Sequence, residues 1–122
     1  MSTLKKFEEI QAWKKARILV SRLYSISNSE PFRKDFSLKD QTRRCGISIM
    51  ANISEGFGRR SKKEFANFLN IAHGSAAELQ SHLYIALDLG YIDSTTFDQL
   101  YQDCGEISKM ILGFQNYLRK IN

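Results

Sequence analysis

Arg43, Arg44, Arg59, Arg60, Lys62 and Lys63 fall within one stretch of the chain, with Phe57 among them. Cations at this density supply what phosphate oxygens attract, and a nearby aromatic ring offers a surface on which an unpaired base can stack. Lys14, Lys15 and Arg22 form a second cationic set, spaced to share the face of a helix opposite its apolar stripe. Both sets point to contact with a nucleic-acid backbone rather than to a reaction. The same residues also fit a plainer role, a solvated basic corner that keeps the protein in solution.

Other chemistries find little support. His73 and His82 are nine residues apart, about 180° around one helix, so they cannot share a metal ion. Glu78 and His82 stand at i and i+4, but such a pair alone is more often a surface contact than a ligand set. Cys45 and Cys104 are the only cysteines and lie outside any C-x-x-C spacing, so they read as small core residues. Paired E-x-x-H motifs, a phosphate-binding G-x-x-x-x-G-K-[ST] loop and a nucleophile elbow are all missing from the sequence, and GFGRR is too short for a dinucleotide fingerprint. The expectation is a noncatalytic protein with no metal and no cofactor.

The elements that must position the cations are helices. Leu38, Thr42, Cys45, Ile49 and Ile53 recur at spacings of three or four, and Phe65, Phe68, Leu69, Ala72, Ala76, Leu79, Leu83, Ala86 and Leu87 repeat the pattern downstream. Between them Gly56 and Gly58 permit a sharp reversal, and Ser61 with Glu64 forms an S-x-x-E capping box. The cations therefore decorate the corner of a helical hairpin. Upstream, Phe7, Ile10, Trp13, Val20 and Leu23 mark a first helix from about Phe7 to Ser27, which Pro31 closes. Residues 28–36 connect it to the second helix, with Phe32 and Phe36 folding back on the end of the bundle and Ser37 with Asp40 as the cap. A third helix runs from about Lys62 to Leu89, with Gly90 as its C-cap. Asp93 or Ser94 starts a last helix carrying Phe97, Leu100, Cys104, Ile107, Ile111 and Leu118 on one face. Four helices, short connections and no alternating strand pattern predict an all-α, up-down-up-down antiparallel four-helix bundle, one domain over 1–122.

Two features extend beyond a single bundle. Arg44, Ser48, Asn52 and Glu55 share a polar face of the second helix, either as an internal network or facing a partner or ligand. On the third helix Ile71, Tyr84 and Ile85 lie off the core stripe, while Gly74, Ser75, Ala76 and Ala77 would let another backbone approach closely, which together point to oligomerisation. Charge is segregated as well. Within a net +5, residues 33–63 carry +6 and residues 64–108 carry −7 with no Lys or Arg. Distinct positive and negative surfaces follow, unless helices of opposite charge merely neighbour each other. No apolar run approaches the ~20 residues of a membrane span, and the start MSTLKKFEEIQ lacks a signal-peptide core, so a cytoplasmic protein without membrane contact is expected.

The run Q-x-R-R-x-x-x-S-I-x-x-N-I-x-E-G-F-G-R-R-S-x-x-E-F-x-x-F-L-x-I-A-x-G-S-x-x-E-L at residues 41–79, with LGYID at 89–93 and F-x-x-I-x-x-W-x-x-A at 7–16, resembles the four-helix-bundle family encoded in bacterial 23S ribosomal RNA intervening sequences. That family is also similar to the accessory protein of diversity-generating retroelements. The resemblance implies a ring-like homopentamer with a central channel and a basic surface for nucleic acid, RNA more than DNA. In the retroelement branch it implies a scaffold that engages a reverse transcriptase. Arg43, Arg44, Asn52, Glu55, Gly56 and Arg59 then serve packing and subunit contacts as readily as ligand contacts. Arg60, Lys62 and Lys63, with Lys14, Lys15 and Arg22, are the better candidates for phosphate contact.

Overall fold

A computed structural model describes residues 4–120. Residues 1–3 and 121–122, which the single domain of 1–122 takes in, lie outside the described residues. The described chain is all-α, without a strand: α1 (Gln11–Ser27), α2 (Phe36–Phe57), α3 (Lys62–Asp88) and α4 (Ser94–Lys120), with short 3-10 turns at Phe7–Glu9 and Phe32–Lys34.

The stripes predicted from spacing become one continuous core. Leu38, Thr42, Cys45, Ile49 and Ile53 are buried on α2, as are Phe65, Leu69, Ala72, Ala76, Leu79, Leu83 and Ala86 on α3 and Leu100, Cys104, Ile107, Ile111 and Leu118 on α4. Helix α1 adds Ala12, Ala16, Leu19 and Leu23. Truncating a fully enclosed member such as Leu79 to Ala would cost roughly 2–5 kcal/mol. Phe68 and Leu87 stand at the edge, half-buried. Each of α1 and α3 packs on both α2 and α4. Between α1 and α2, and between α3 and α4, late residues of one helix meet early residues of the other, while Ser48 of α2 and Ser75 of α3 meet at mid-helix. Arg43 reaches Ser27 at 2.8 Å, Ser48 meets Ser75 at 2.7 Å, Gln80 donates to the Tyr101 carbonyl at 3.2 Å and Gln115 to the Ala66 carbonyl at 3.1 Å.

Helix ends show where local signals sufficed. Ser61 Oγ accepts from the Glu64 N–H at 3.1 Å, so the predicted N-cap of α3 forms. Gly90 takes φ +75, with Tyr91 N–H on the Ala86 carbonyl at 2.8 Å and Gly90 N–H on the Leu87 carbonyl at 3.0 Å. This is the paired 6→1 and 5→2 closure of a Schellman motif, whose left-handed position favours glycine. Asp93 Oδ1 accepts from the Thr96 N–H at 2.8 Å and starts α4, a contact that holds its carboxyl below the usual carboxylate range.

Three local expectations are corrected. The cap of α2 is Asp35, not Ser37 with Asp40: its Oδ1 accepts from the Leu38 N–H at 3.0 Å, while its Oδ2 accepts the Tyr91 hydroxyl at 2.9 Å. Phe32 folds back as expected and stacks on Tyr91 at 5.1 Å, but Phe36 is 73% exposed. The reversal after α2 uses no left-handed glycine, since Gly58 has φ −78. Gly56 is instead a point of close approach: a Cβ there would stand 2.8 Å from both Phe65 Cδ1 and Phe68 Cβ, so its missing side chain lets the start of α3 close against α2.

Candidate nucleic-acid interface

Helical periodicity places Lys39, Arg43, Arg44 and Ile47 along the outer side of α2, and the α1 terminus brings Tyr24 beside them. Together with Asp40, Ser48, Ala51 and Asn52 they line an open groove of about 720 Å³. The Arg43 guanidinium lies 4.2 Å over the Tyr24 ring, and its Nε donates to Ser27 Oγ at 2.8 Å. These contacts fix the side chain without neutralising it, because neither partner is anionic. Arg44 is tied at 2.8 Å to Asp40, one turn away, which raises its already high pKa chiefly through that hydrogen bond. Both members of this pair are well exposed, so the pairing is weak and a stronger anion can displace it.

The polar row on α2 divides in two. Ser48 and Asn52 form the internal part: Asn52 Nδ2 donates to Ser48 O at 2.8 Å and to Ser48 Oγ at 3.0 Å, and Ser48 joins Ser75 across the α2–α3 seam. Arg44 and Glu55 form surface pairs, Glu55 with Arg59 at 2.9 Å.

At the corner, Arg59, Arg60, Ser61 and Lys62 border a small recess of about 140 Å³ with Phe57, Phe65 and Leu118. Arg59 stacks over Phe68 at 4.7 Å. Arg60, Lys62 and Lys63 are exposed. Phe57 packs edge-on against Phe65 at 6.1 Å and is half-buried, a core-edge residue rather than a free stacking platform.

The first-helix cations are placed differently from one another. Lys14 is exposed and lines a recess with Trp13, Arg17 and Ile18. Lys15 and Arg22 turn instead to α4. Arg22 Nη1 meets Asp103 Oδ2 at 2.7 Å and its Nη2 meets Gln99 Oε1 at 3.0 Å, while Lys15 lies 3.0 Å from Glu106 and 3.6 Å from Asp103. The Glu106 contact is the main reason the Lys15 ammonium holds its proton to higher pH than usual. Here helices of opposite charge are neighbours, and these two cations are already compensated. Tyr24 was not apparent as a groove residue in the sequence, because only the packing of α1 on α2 joins it to Arg43, whereas Lys39 stands one turn before Arg43 on α2 itself and was overlooked.

Cys45 and Cys104 are buried thiols, pushed by burial up to about 12. Cys45 Sγ lies 3.5 Å from His82 Nδ1. His73 is half-buried elsewhere on α3.

A family model described as 23S rRNA-intervening sequence protein matches residues 8–113. No curated protein matches the chain. Among solved structures, the chain is similar to a crystal structure at 1.70 Å resolution of a protein with unknown function from the S23 ribosomal protein family, from Bacteroides thetaiotaomicron VPI-5482. The TM-score is 0.79 at 29% identity, covering 86% of this chain and 95% of that one. With the long central motif, the four helices and this structural likeness in agreement, the chain belongs to the 23S rRNA-intervening sequence protein family.

Proposed function

We propose that this protein is a noncatalytic, homo-oligomeric nucleic-acid-binding protein of the cytoplasm that grips structured RNA, or RNA and DNA, by its phosphates. The observation that carries the reading is the α2 groove, where Lys39, Arg43 and Arg44 converge beside Tyr24 and Arg43 is held in place by uncharged partners. Phosphate contacts of this kind position a nucleic acid without reading its bases, and their strength falls steeply with salt. Arg59, Arg60, Lys62 and Lys63 extend the same charge to the corner. No helix among the described residues is long and apolar enough to cross a membrane.

The protomer in this reading is an antiparallel up-down-up-down bundle, a topology favoured by the pairing of early with late residues in the α1–α2 and α3–α4 contacts. Five copies form a ring. Self-association draws support from Ile71, Ile85 and Leu89, which are 51%, 44% and 55% exposed and fall within about 60° of one another on the outside of α3. A ring repeats the groove at regular spacing and multiplies its field.

The second reading is a protein scaffold that docks a partner such as a reverse transcriptase. The segregated charge of residues 64–108, with seven acids and no Lys or Arg, favours it.

Fluorescence anisotropy of a labelled structured RNA, titrated at several salt concentrations and paired with light-scattering mass, tests the proposal. The wild type should bind with a steep negative log-salt slope and be displaced by unrelated RNA. Substituting Arg43, Arg44, Arg59 and Arg60 with Gln should weaken binding and flatten the slope without changing the mass. Absence of binding to RNA and DNA near physiological salt refutes the nucleic-acid reading and leaves the scaffold. A monomeric mass refutes the ring.

A further inference from the structure

The seam between α2 and α3 brings together three side chains whose chemistry differs from that of the basic surface. Cys45 comes from α2; Glu78 and His82 are one turn apart on α3, and one ligand atom from each lies within 4.8 Å of the other two. A thiolate sulfur and an imidazole nitrogen bound to the same tetrahedral zinc, at about 2.3 Å and about 2.0–2.1 Å, are separated by about 3.5 Å. Cys45 Sγ and His82 Nδ1 are 3.5 Å apart without any ion between them. Glu78 is exposed and His82 half-buried, so the carboxylate can swing inward while the imidazole already stands in place. The site is thus open on one side and walled by core on the other.

We propose that Cys45, Glu78 and His82 bind a zinc-class divalent cation, with water in the fourth position. One soft sulfur, one imidazole and one carboxylate suit zinc, or cobalt as its spectroscopic stand-in, and disfavour magnesium or calcium, which take oxygen ligands. Binding displaces the Cys45 proton to solvent, so one proton leaves for each ion bound, and the ion fastens α2 to α3 at mid-helix. This departs from the expectation of no metal, which weighed the histidines and Glu78 separately from Cys45.

The test is a titration of purified, reduced protein with cobalt(II), following thiolate-to-cobalt charge-transfer absorption, then displacement by zinc and a thermal melt with and without zinc. The expected result is a band that saturates at one ion per chain, disappears on adding zinc, and accompanies a rise in melting temperature. Cys45→Ser, His82→Gln and Glu78→Gln should lose or weaken the band, while Cys104→Ser should keep it. His82→Gln and Glu78→Gln alter less buried positions and carry the test if Cys45→Ser fails to fold. Absence of the band in the wild type, or its persistence in a folded His82→Gln variant, overturns the assignment and leaves the Cys45–His82 contact as a thiol hydrogen bond.

Discussion

Lys15 and Arg22 provide a sharp test of whether placement, rather than charge alone, defines the proposed nucleic-acid surface. Consider two double variants, Lys15→Gln with Arg22→Gln on α1, and Arg43→Gln with Arg44→Gln in the groove. Each removes two positive charges. If charge alone mattered, each would lower the log-salt slope by about 2, since one neutralised phosphate contributes about 0.9. The α1 cations, however, face Asp103 and Glu106 at 2.7–3.6 Å with side chains only 25–35% exposed, apart from Glu106 at 55%. A phosphate recruiting them would first have to break contacts worth roughly 1 kcal/mol each, after discounting for solvent, and would leave Asp103 without its partners. The α1 variant should therefore change the slope by less than about 0.5 yet lower folding stability by about 1–2 kcal/mol. The groove variant should lose about 2 in slope at little cost to stability. Anisotropy across a salt series, with urea melts on the same preparations, reads both quantities. If the α1 variant loses the slope while the groove variant keeps it, the assignment of the surface to α2 is refuted.

Stability measurements check the core in several independent ways. Thr42 is 2% exposed, and its hydroxyl has no hydrogen-bond partner among the described residues. Thr42→Val keeps the shape and removes the stranded group, so it should stabilise by about 1 kcal/mol, seen as a rise of about 0.5 M in the urea midpoint at unchanged m; a fall would mean the hydroxyl is satisfied. Gly56→Ala adds a methyl 2.8 Å from Phe65 and Phe68, and the crowding, roughly 1–3 kcal/mol, should exceed the helix-propensity gain of about 1 kcal/mol. Gly74→Ala meets nothing within 4 Å, so the protomer should gain about 1 kcal/mol in thermal or urea unfolding; lower stability together with smaller oligomers would place another subunit against this glycine. The buried thiols, pushed up to about 12 from an ordinary 9.0, stay protonated in the fold. Iodoacetamide at pH 8 should label Cys104 far more slowly in native than in urea-unfolded protein, with equal rates counting against burial. The linked stability is complete below pH 9 and is lost as pH rises towards about 12, because only the unfolded chain releases these protons in that window. Alkaline urea melts of the wild type against Cys104→Ala should converge over that range.

Period-based reading recovered what a single helix determines. The buried positions of α2, α3 and α4 follow from spacing, and Ser61 and Gly90 cap α3 because their partners lie within a few residues. Long-range choices were not legible. Ser37 and Asp35 are both competent caps by residue type, and Asp35 wins where Tyr91, distant in sequence, fixes its second oxygen. Gly56 resembles a hinge locally; it is a contact point because Phe65 and Phe68 return against it. Phe36 has the hydropathy of a core residue but falls on the outer side of the first turn of α2.

The same limit governs the chemistry, since a helix period assigns a residue to a face but not to a neighbour. Lys15, Arg22 and Lys14 share a cationic face by spacing, yet Asp103 and Glu106 on α4 claim the first two and leave Lys14 to solvent. Arg43 gains its aromatic partner from Tyr24, nineteen residues upstream, and Cys45 meets His82 across thirty-seven. Functional groups in a helical protein of this size collect along the seams between helices, because only there can side chains from two elements converge while their backbones remain hydrogen-bonded within each helix. The α1–α2 seam holds Arg43 on uncharged partners beside Arg44 in a well-exposed pair with Asp40, and the α1–α4 seam holds Lys15 and Arg22 in more enclosed pairs. That difference in partners, with nearly equal local counts of Lys and Arg, is the physical reason to place the proposed phosphate binding on the former.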